Sequence, residues 1–306
     1  MANLRDISRR IQSVRSTMQI TRTMEMVSTA KIRAALERAE QANPYKEAIT
    51  RMLGNVAGAA GSVNEPLLKT HLHESKVLFI VIASDRGLAG GFNIALQREV
   101  ASEMEQLKAA GIDSAVITCG RKPTEFFRSL GSEPVMSFEG ISSEPTMDEA
   151  DRIAYYAMEG YIEGGFDRVM VYYHHAKSRV EQVPVKETLL PITTKNLRMP
   201  NEPREGQKGT FRIERVHDSE FSFEPSAKEV LGSLIPAYVR NVVFHALLDS
   251  AAAEHGARRT AMQNATDNAQ EVITELSRTY NRVRQGSITT ELTEIIGGAS
   301  ALEEEG

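Results

Sequence analysis

From the fourth residue the apolar positions fall at Leu4, Ile7, Ile11, Val14 and Met18, spaced by alternating threes and fours. That is the seam of a helix built to pair with another helix. Residues 3–42 contain neither proline nor glycine. Beyond Met18 the same frame lands on Thr21, Glu25, Ser28, Ile32, Ala35 and Ala39, so the seam is expected to weaken. A second apolar line, Ile20, Met24 and Val27, is expected to take over at helical spacing. Asn3 followed by Asp6 suits an N-cap with an acid in the first turn, and Pro44 marks a stop or a kink.

The last third repeats the pattern. Ser226 and Glu229 form a capping-box signature just after Pro225. Met262, Thr266, Ala269, Ile273, Leu276, Tyr280 and Val283 then recur at fours and threes. A continuous helix from 226 to about 302 runs roughly 110 Å at about 1.5 Å per residue. No small domain buries that length, so most of it needs a partner outside its own core. Pro236 is expected to kink it. Gly256 and Gly286 each cost about 1 kcal/mol relative to Ala, as local bends or as sites of close packing.

Between the helices the period changes. VLFIVIAS (77–84) is a continuous apolar run, followed by a glycine-rich turn and a helical stretch from about 94 to 109. AVITCG (115–120), helical TEFFRSL (124–130), a helical segment from about 146 to 164 and RVMVYYHHA (168–176) follow. VEQVPVKETLLPI (180–192) reads as extended, with Pro184 and Pro191 placing parts of it at an edge. Strand and helix in alternation predict a parallel sheet covered by helices. The expected fold is therefore α/β: a long antiparallel coiled coil of the N- and C-terminal helices plus a central α/β domain with a mostly parallel, Rossmann-like sheet. The expected division is 1–58 (first helix), 75–195 (α/β domain), 196–225 (exposed loop or hairpin) and 226–306 (last helix).

The net charge of −5, from 36 basic and 41 acidic residues, argues against a general nucleic-acid binder. It is unevenly spread. Residues 1–42 carry eight basic and four acidic groups, whereas 226–306 carry seven and eleven, which suits two helices side by side. A single cysteine, Cys119, excludes an intramolecular disulfide and fits a reducing compartment. No uninterrupted apolar run reaches about 18 residues, so no bilayer span is expected. The basic opening lacks the apolar stretch of a secretory signal. A soluble intracellular protein is expected.

Candidate chemistry is thin. The loop SDRGLAGGFN (84–93) leaves a buried strand and opens a helix, the place where backbone N–H groups and the helix dipole cradle phosphates. Its residues Ser84, Asp85, Arg86, Gly87, Gly90 and Gly91 fit neither G-x-G-x-x-G nor G-x-x-x-x-G-K-[ST], and a tight strand-to-helix turn is the expectation. The pair His71 and His73 lacks a second cluster to complete a metal site. His174, His175, His217, His245 and His255 are likewise expected on loops or the surface. Cys119 reads as a small buried hydrophobe. No metal site, cofactor site or catalytic residue is expected. Arg15, Arg22 and Arg33 share one helical face, either solvated or gripped by an acidic partner. Ile288, Leu292, Ile295 and Ile296 make an apolar stripe near the C-terminus that nothing in the first helix extends far enough to cover.

The opening MANLRDISRRIQSV with ITRTMEMVSTAK (20–31), the loop SDRGLAGGFN, AAEHGARRTAMQNATDNA (252–269) and RQGSITTELTEIIGGASAL (284–302) together resemble the gamma subunits of F-type ATP synthases, over the whole chain. The resemblance implies a central rotor stalk that is not itself catalytic. Its two terminal helices would penetrate a ring of three alpha and three beta subunits, with the epsilon subunit and the membrane c-ring at the α/β domain. It also implies that Ile288, Leu292, Ile295 and Ile296 turn inside an apolar collar. Arg284, Gln285 and Thr289 would contact a beta-subunit loop, and Met24 and Lys31 would face an acidic lever of beta. Gly256 and Arg259 depart from the alanine and methionine common in the family. The absence of a regulatory cysteine insert suggests a bacterial form, peripheral on the cytoplasmic side of the cell membrane. A static coiled-coil scaffold and a nucleotide-binding enzyme built on Gly87, Gly90 and Gly91 are the competing readings.

Overall fold

The computed structural model describes residues 4–59, 65–193, 197, 224 and 226–304. Asn3, His217 and the loop expected at 196–225 (Leu197 and Glu224 apart) lie outside the described residues. The chain forms α1 (Leu4–Ala59), β1 (Lys76–Ile82), α2 (Phe92–Ala109), β2 (Asp113–Cys119), α3 (Arg121–Ser129), β3 (Met136–Phe138), α4 (Met147–Ile162), β4 (Arg168–His175), β5 (Val183–Leu190) and α5 (Ala227–Glu304). Two compact units result, one of residues 29–257 and one joining 1–28 with 258–306.

In the larger unit the strands lie in the order β3-β2-β1-β4-β5. The first four are parallel, with Val77 opposite Ser114 and Arg168, and β5 returns antiparallel to β4. Pro184 therefore sits on an edge strand, where its missing N–H breaks no interior ladder. Central β1 is buried on both faces, which explains why it reads as an unbroken apolar run. One face packs under α4, α5 and the end of α1 through Leu78, Ile80, Ile153, Leu231, Val239 and Leu53. The other packs under α2 and α3 through Val77, Phe79, Leu96 and Phe127. The short β3 carries too few residues to show a strand period in the sequence. Helix α4 opens on a capping box between Thr146 and Glu149, and at the start of α5 the Glu229 N–H donates to Ser226 Oγ at 3.3 Å while the Ser226 hydroxyl donates to the Glu229 carboxylate at 3.2 Å.

Two expectations about α1 bear on its path. Of the stop or kink expected at Pro44, the stop is excluded: α1 continues to Ala59, and α5 runs through Pro236 as a helix. Packing of the surrounding turns against the core outweighs the single backbone bond a proline removes. The seam of α1 does not pass to Ile20, Met24 and Val27: Ile20 is 60% and Val27 52% exposed, whereas Ser28 is 3% exposed. The original frame stays on the inner face throughout, through Thr21, Glu25, Ser28, Ile32, Ala35 and Ala39. Within the smaller unit the hydroxyls of Thr21 and Thr266 bond across the helix pair at 2.8 Å. In the larger one Lys46 Nζ lies 3.2 Å from His245 Nδ1. By length and composition alone α5 contains a window apolar enough to cross a membrane, and half of that window is buried in the protein.

Gly120 closes β2 at φ +113°, and a Cβ there would lie 2.6 Å from the Ala83 carbonyl oxygen. Gly120→Ala is therefore expected to destabilise the chain by about 2–3 kcal/mol. Gly131→Ala, also at positive φ but with open space around it, should cost about 1 kcal/mol. Urea denaturation of the two variants measures the difference.

Candidate functional site

The turn after β1 is held from inside. The Ser84 hydroxyl donates to the Arg86 carbonyl at 2.6 Å, and Asn93 Oδ1 accepts the Ser84 N–H at 3.0 Å. Asp85 Oδ1 accepts the Arg121 and Gly140 N–H groups at 2.9 and 2.8 Å, and Oδ2 accepts the Ser142 N–H at 3.0 Å. These donors stand beyond the carboxyl ends of β2 and β3, where an open parallel sheet would offer N–H groups to a ligand anion. Here the anion is the protein's own. Burial alone would raise the Asp85 carboxyl, but the bonds from Gly140, Ser142 and Arg121 hold it below the usual aspartate range. Gly90 (φ 60°) and Leu88 (φ 63°) turn the chain back, and Ala89 and Phe92 pack on Ala253 of α5. Gly87 and Gly91 have open space around their Cα atoms. The geometry is that of a tight turn seated on a helix.

Among the described residues, no group of three His, Cys, Asp or Glu could hold a metal ion. The histidines are not all superficial, which corrects the expectation. His174 is buried and stacked on Phe92 with ring centroids 4.3 Å apart, and burial lowers its pKa to about 4. His255 is buried, and His245 is half-buried beside Lys46. His71 pairs with Asp167 at 2.7 Å, His73 is exposed, and His175 pairs with Asp249 at 2.6 Å. The Cys119 thiol is buried and its pKa pushed well up by that burial. Sequence reasoning missed the Asp249 contact; its signal was a lone carboxylate inside the apolar stretch FHALLDSAAA.

The terminal stripe is where the expectation placed it. Ile288, Leu292, Ile295 and Ile296 are 47–68% exposed, although the seam positions before them, from Met262 to Val283, are buried or half-buried. Arg284, Gln285 and Thr289 are exposed, and the Thr289 hydroxyl is occupied by the Gln285 carbonyl at 2.9 Å. On α1, Lys31 is exposed and Met24 half-buried next to exposed Ile20 and Val27. Arg15, Arg22 and Arg33 are all exposed, Arg33 paired with Glu37 at 3.0 Å.

These features define a class of protein: an α/β unit inserted in the chain between two long helices, the second carrying apolar side chains that are exposed among the described residues. A family profile described as ATP synthase matches residues 3–302. The chain is 42% identical to the ATP synthase gamma chain of Pelotomaculum thermopropionicum, 40% to that of Heliobacterium modesticaldum and 39% to that of Desulforamulus reducens, each over 303 residues, 99% of this chain and 100% of the relative. The chain belongs to the ATP synthase gamma-chain family. Its fold is similar to a chain of the Euglena gracilis mitochondrial ATP synthase (OSCP/F1/c-ring, rotational state 3), with TM-score 0.64, 18% identity, and coverage of 98% of this chain and 94% of that one. It is also similar to a chain in the central stalk/c-ring structure of Tetrahymena thermophila mitochondrial ATP synthase, with TM-score 0.55, 24% identity, and coverage of 80% and 99%.

Replacing Asp85 by Asn strands part of this N–H nest, and a loss of about 1–3 kcal/mol is expected near neutral pH. Because the folded carboxyl titrates below its unfolded value, its stabilisation is present above the ordinary aspartate pKa and lost as pH falls through the folded one. The gap between wild type and Asp85→Asn in urea unfolding should therefore narrow below about pH 4. A gap independent of pH would remove the carboxylate's role.

Proposed function

We propose that this chain is the central rotor stalk of a bacterial F-type ATP synthase, coupling transmembrane proton flow to the conformational cycling of the catalytic beta subunits. It is the non-catalytic gamma subunit of that membrane-associated complex. Its partners are three alpha and three beta subunits, the epsilon subunit and the membrane c-ring. It sits peripherally on the cytoplasmic side of the cell membrane, without inserting into it and without binding nucleic acid. In functional terms, 1–58 and 226–306 act as the coiled coil, 75–195 as the α/β domain, and 196–225 as an exposed connection.

The observation that carries this reading is the bare apolar end of α5. Four large apolar side chains within three turns, each about half exposed or more, are unfavourable in water and need enclosure. An enclosing wall that is equally apolar forms no directional bond with them, so the helix end can turn within it. Ile288, Leu292, Ile295 and Ile296 are the surface that turns, and Arg284, Gln285 and Thr289 are the polar contacts with a beta-subunit loop. Met24 and Lys31, with the exposed Ile20 and Val27 line, face the acidic lever of beta. Identity of 39–42% to gamma chains along their full length supports the assignment.

Co-expression with the alpha and beta subunits of the same organism should give one complex of three alpha, three beta and one copy of this chain by native mass, with ATP hydrolysis dependent on it. A chain that runs alone and leaves alpha–beta activity unchanged would return the static scaffold to first place. Ending the chain at residue 283 should weaken ATP-driven proton pumping and leave the thermal midpoint of the α/β unit unaltered, because the side chains of 288–297 are exposed.

A further inference from the structure

The larger unit carries a group of ionisable side chains that the rotor reading does not use, on the face of the sheet where α1 and α5 pack. Lys46 stands on α1, His245 and Asp249 one turn apart on α5, His175 at the end of β4, and Glu187 on β5 opposite Val171. Lys46 Nζ lies 3.2 Å from His245 Nδ1. One turn on, Asp249 accepts a bond from His175 Nδ1 at 2.6 Å and the Ala176 N–H at 2.9 Å, so both of its oxygens are engaged. Glu187 acts on Lys46 from the sheet, with the buried Tyr173 and Tyr238 beside it.

The contact between Lys46 and His245 admits one arrangement of protons. A lysine ammonium carries donors and no acceptor. Nδ1 of His245 is therefore the acceptor, the ring is neutral, and its own proton sits on Nε2. A protonated ring has no lone pair to offer, and it would set a second cation against the first. Burial, and after it the Lys46 charge, hold the His245 ring well below the ordinary histidine range; Asp249 acts in the opposite sense and His175 in the same sense as Lys46. Burial raises the Glu187 carboxyl, so the anion acting on Lys46 is itself lost early as pH falls. Both proton uptakes work against the same contact. The apolar residues packed around it, such as Ile49 and Leu53 of α1 and Val242 of α5, have nothing to titrate.

We infer that Lys46 and His245 form an acid-sensitive clasp, closed at neutral pH and opened by protonation of the histidine, which loosens α1 from α5 locally while the apolar core around it stays packed. Because the closed clasp takes up a proton less readily than a free imidazole, closure is favoured above about pH 6.5 and progressively lost below it. Amide hydrogen exchange on the full chain, divided by the intrinsic rate at each pH, reads the opening of residues 43–53 of α1 and does not depend on the rotor reading. Between about pH 7 and pH 5 that exchange should rise about 10-fold or more, the ratio set by an imidazole that is protonated when free and not when closed. His245→Asn keeps an acceptor at the Nδ1 position and takes up no proton, so it should remove most of the rise. Lys46→Met keeps the apolar stem without the charge and should reduce it too, and it still reports if His245→Asn does not fold. His174, stacked on Phe92 and held neutral by burial, lies under α2, so residues 93–108 of α2 report any general loosening. No rise at 43–53 in wild type, a rise left unchanged by both substitutions, or one matched at 93–108 would overturn the inference.

Discussion

A helix of 78 residues has no means of burying its own length, and the rest of the molecule follows from how that is met. Along α5 the answer changes with position. From Leu231 to Ala253 the helix packs on the sheet and α1, and most of its residues are buried. From Met262 to Ile273 only the seam residues are buried, as a two-helix pair allows. From Ile288 onward, through Gly297, every side chain is exposed. The graded loss of internal partners leads to a surface that the chain cannot satisfy by itself.

The first helix adapts to this arrangement in the choice of seam residues. Thr21, Ser28 and Ala35 put little volume on the inner face of α1, and the hydroxyls of Thr21 and Thr266 meet at 2.8 Å. Larger apolar residues on the same stretch, Ile20 and Val27, then stand outside. Their exposure is costly for an isolated chain and sensible for one enclosed by others.

Much of the fold was legible because the elements obey one period each. The buried parallel strand 77–82 reads as an apolar run, the paired helices as alternating threes and fours, and the uncovered stripe as apolar positions past the reach of α1. Three things were not legible. At Pro44 local rules left a stop open, and tertiary packing carries α1 through it. The buried line of α1 passes through polar residues, so hydropathy pointed to the wrong face. The role of Asp85 depends on N–H groups contributed from residues 121, 140 and 142, which no local window brings together. The resemblance carried the functional reading where pattern alone stopped at a helix end in need of a sleeve.

Two kinds of surface on one helix therefore have opposite physics. The end of α5 is apolar and bears no buried hydrogen-bonded charge among the described residues, so a wall around it gains cohesion that does not depend on angle. The seat at Asp249 is the reverse, a desolvated carboxylate with both oxygens committed, whose stabilisation collapses over a few ångströms of displacement. The first is made of isoleucine and leucine, whereas the second lies on a stretch of helix that also buries Glu254, His255 and Arg258. The same contrast explains the satisfied glycine-rich turn: with Asp85 filling the N–H groups at the sheet edge, that edge is free to act as a rigid seat for α5.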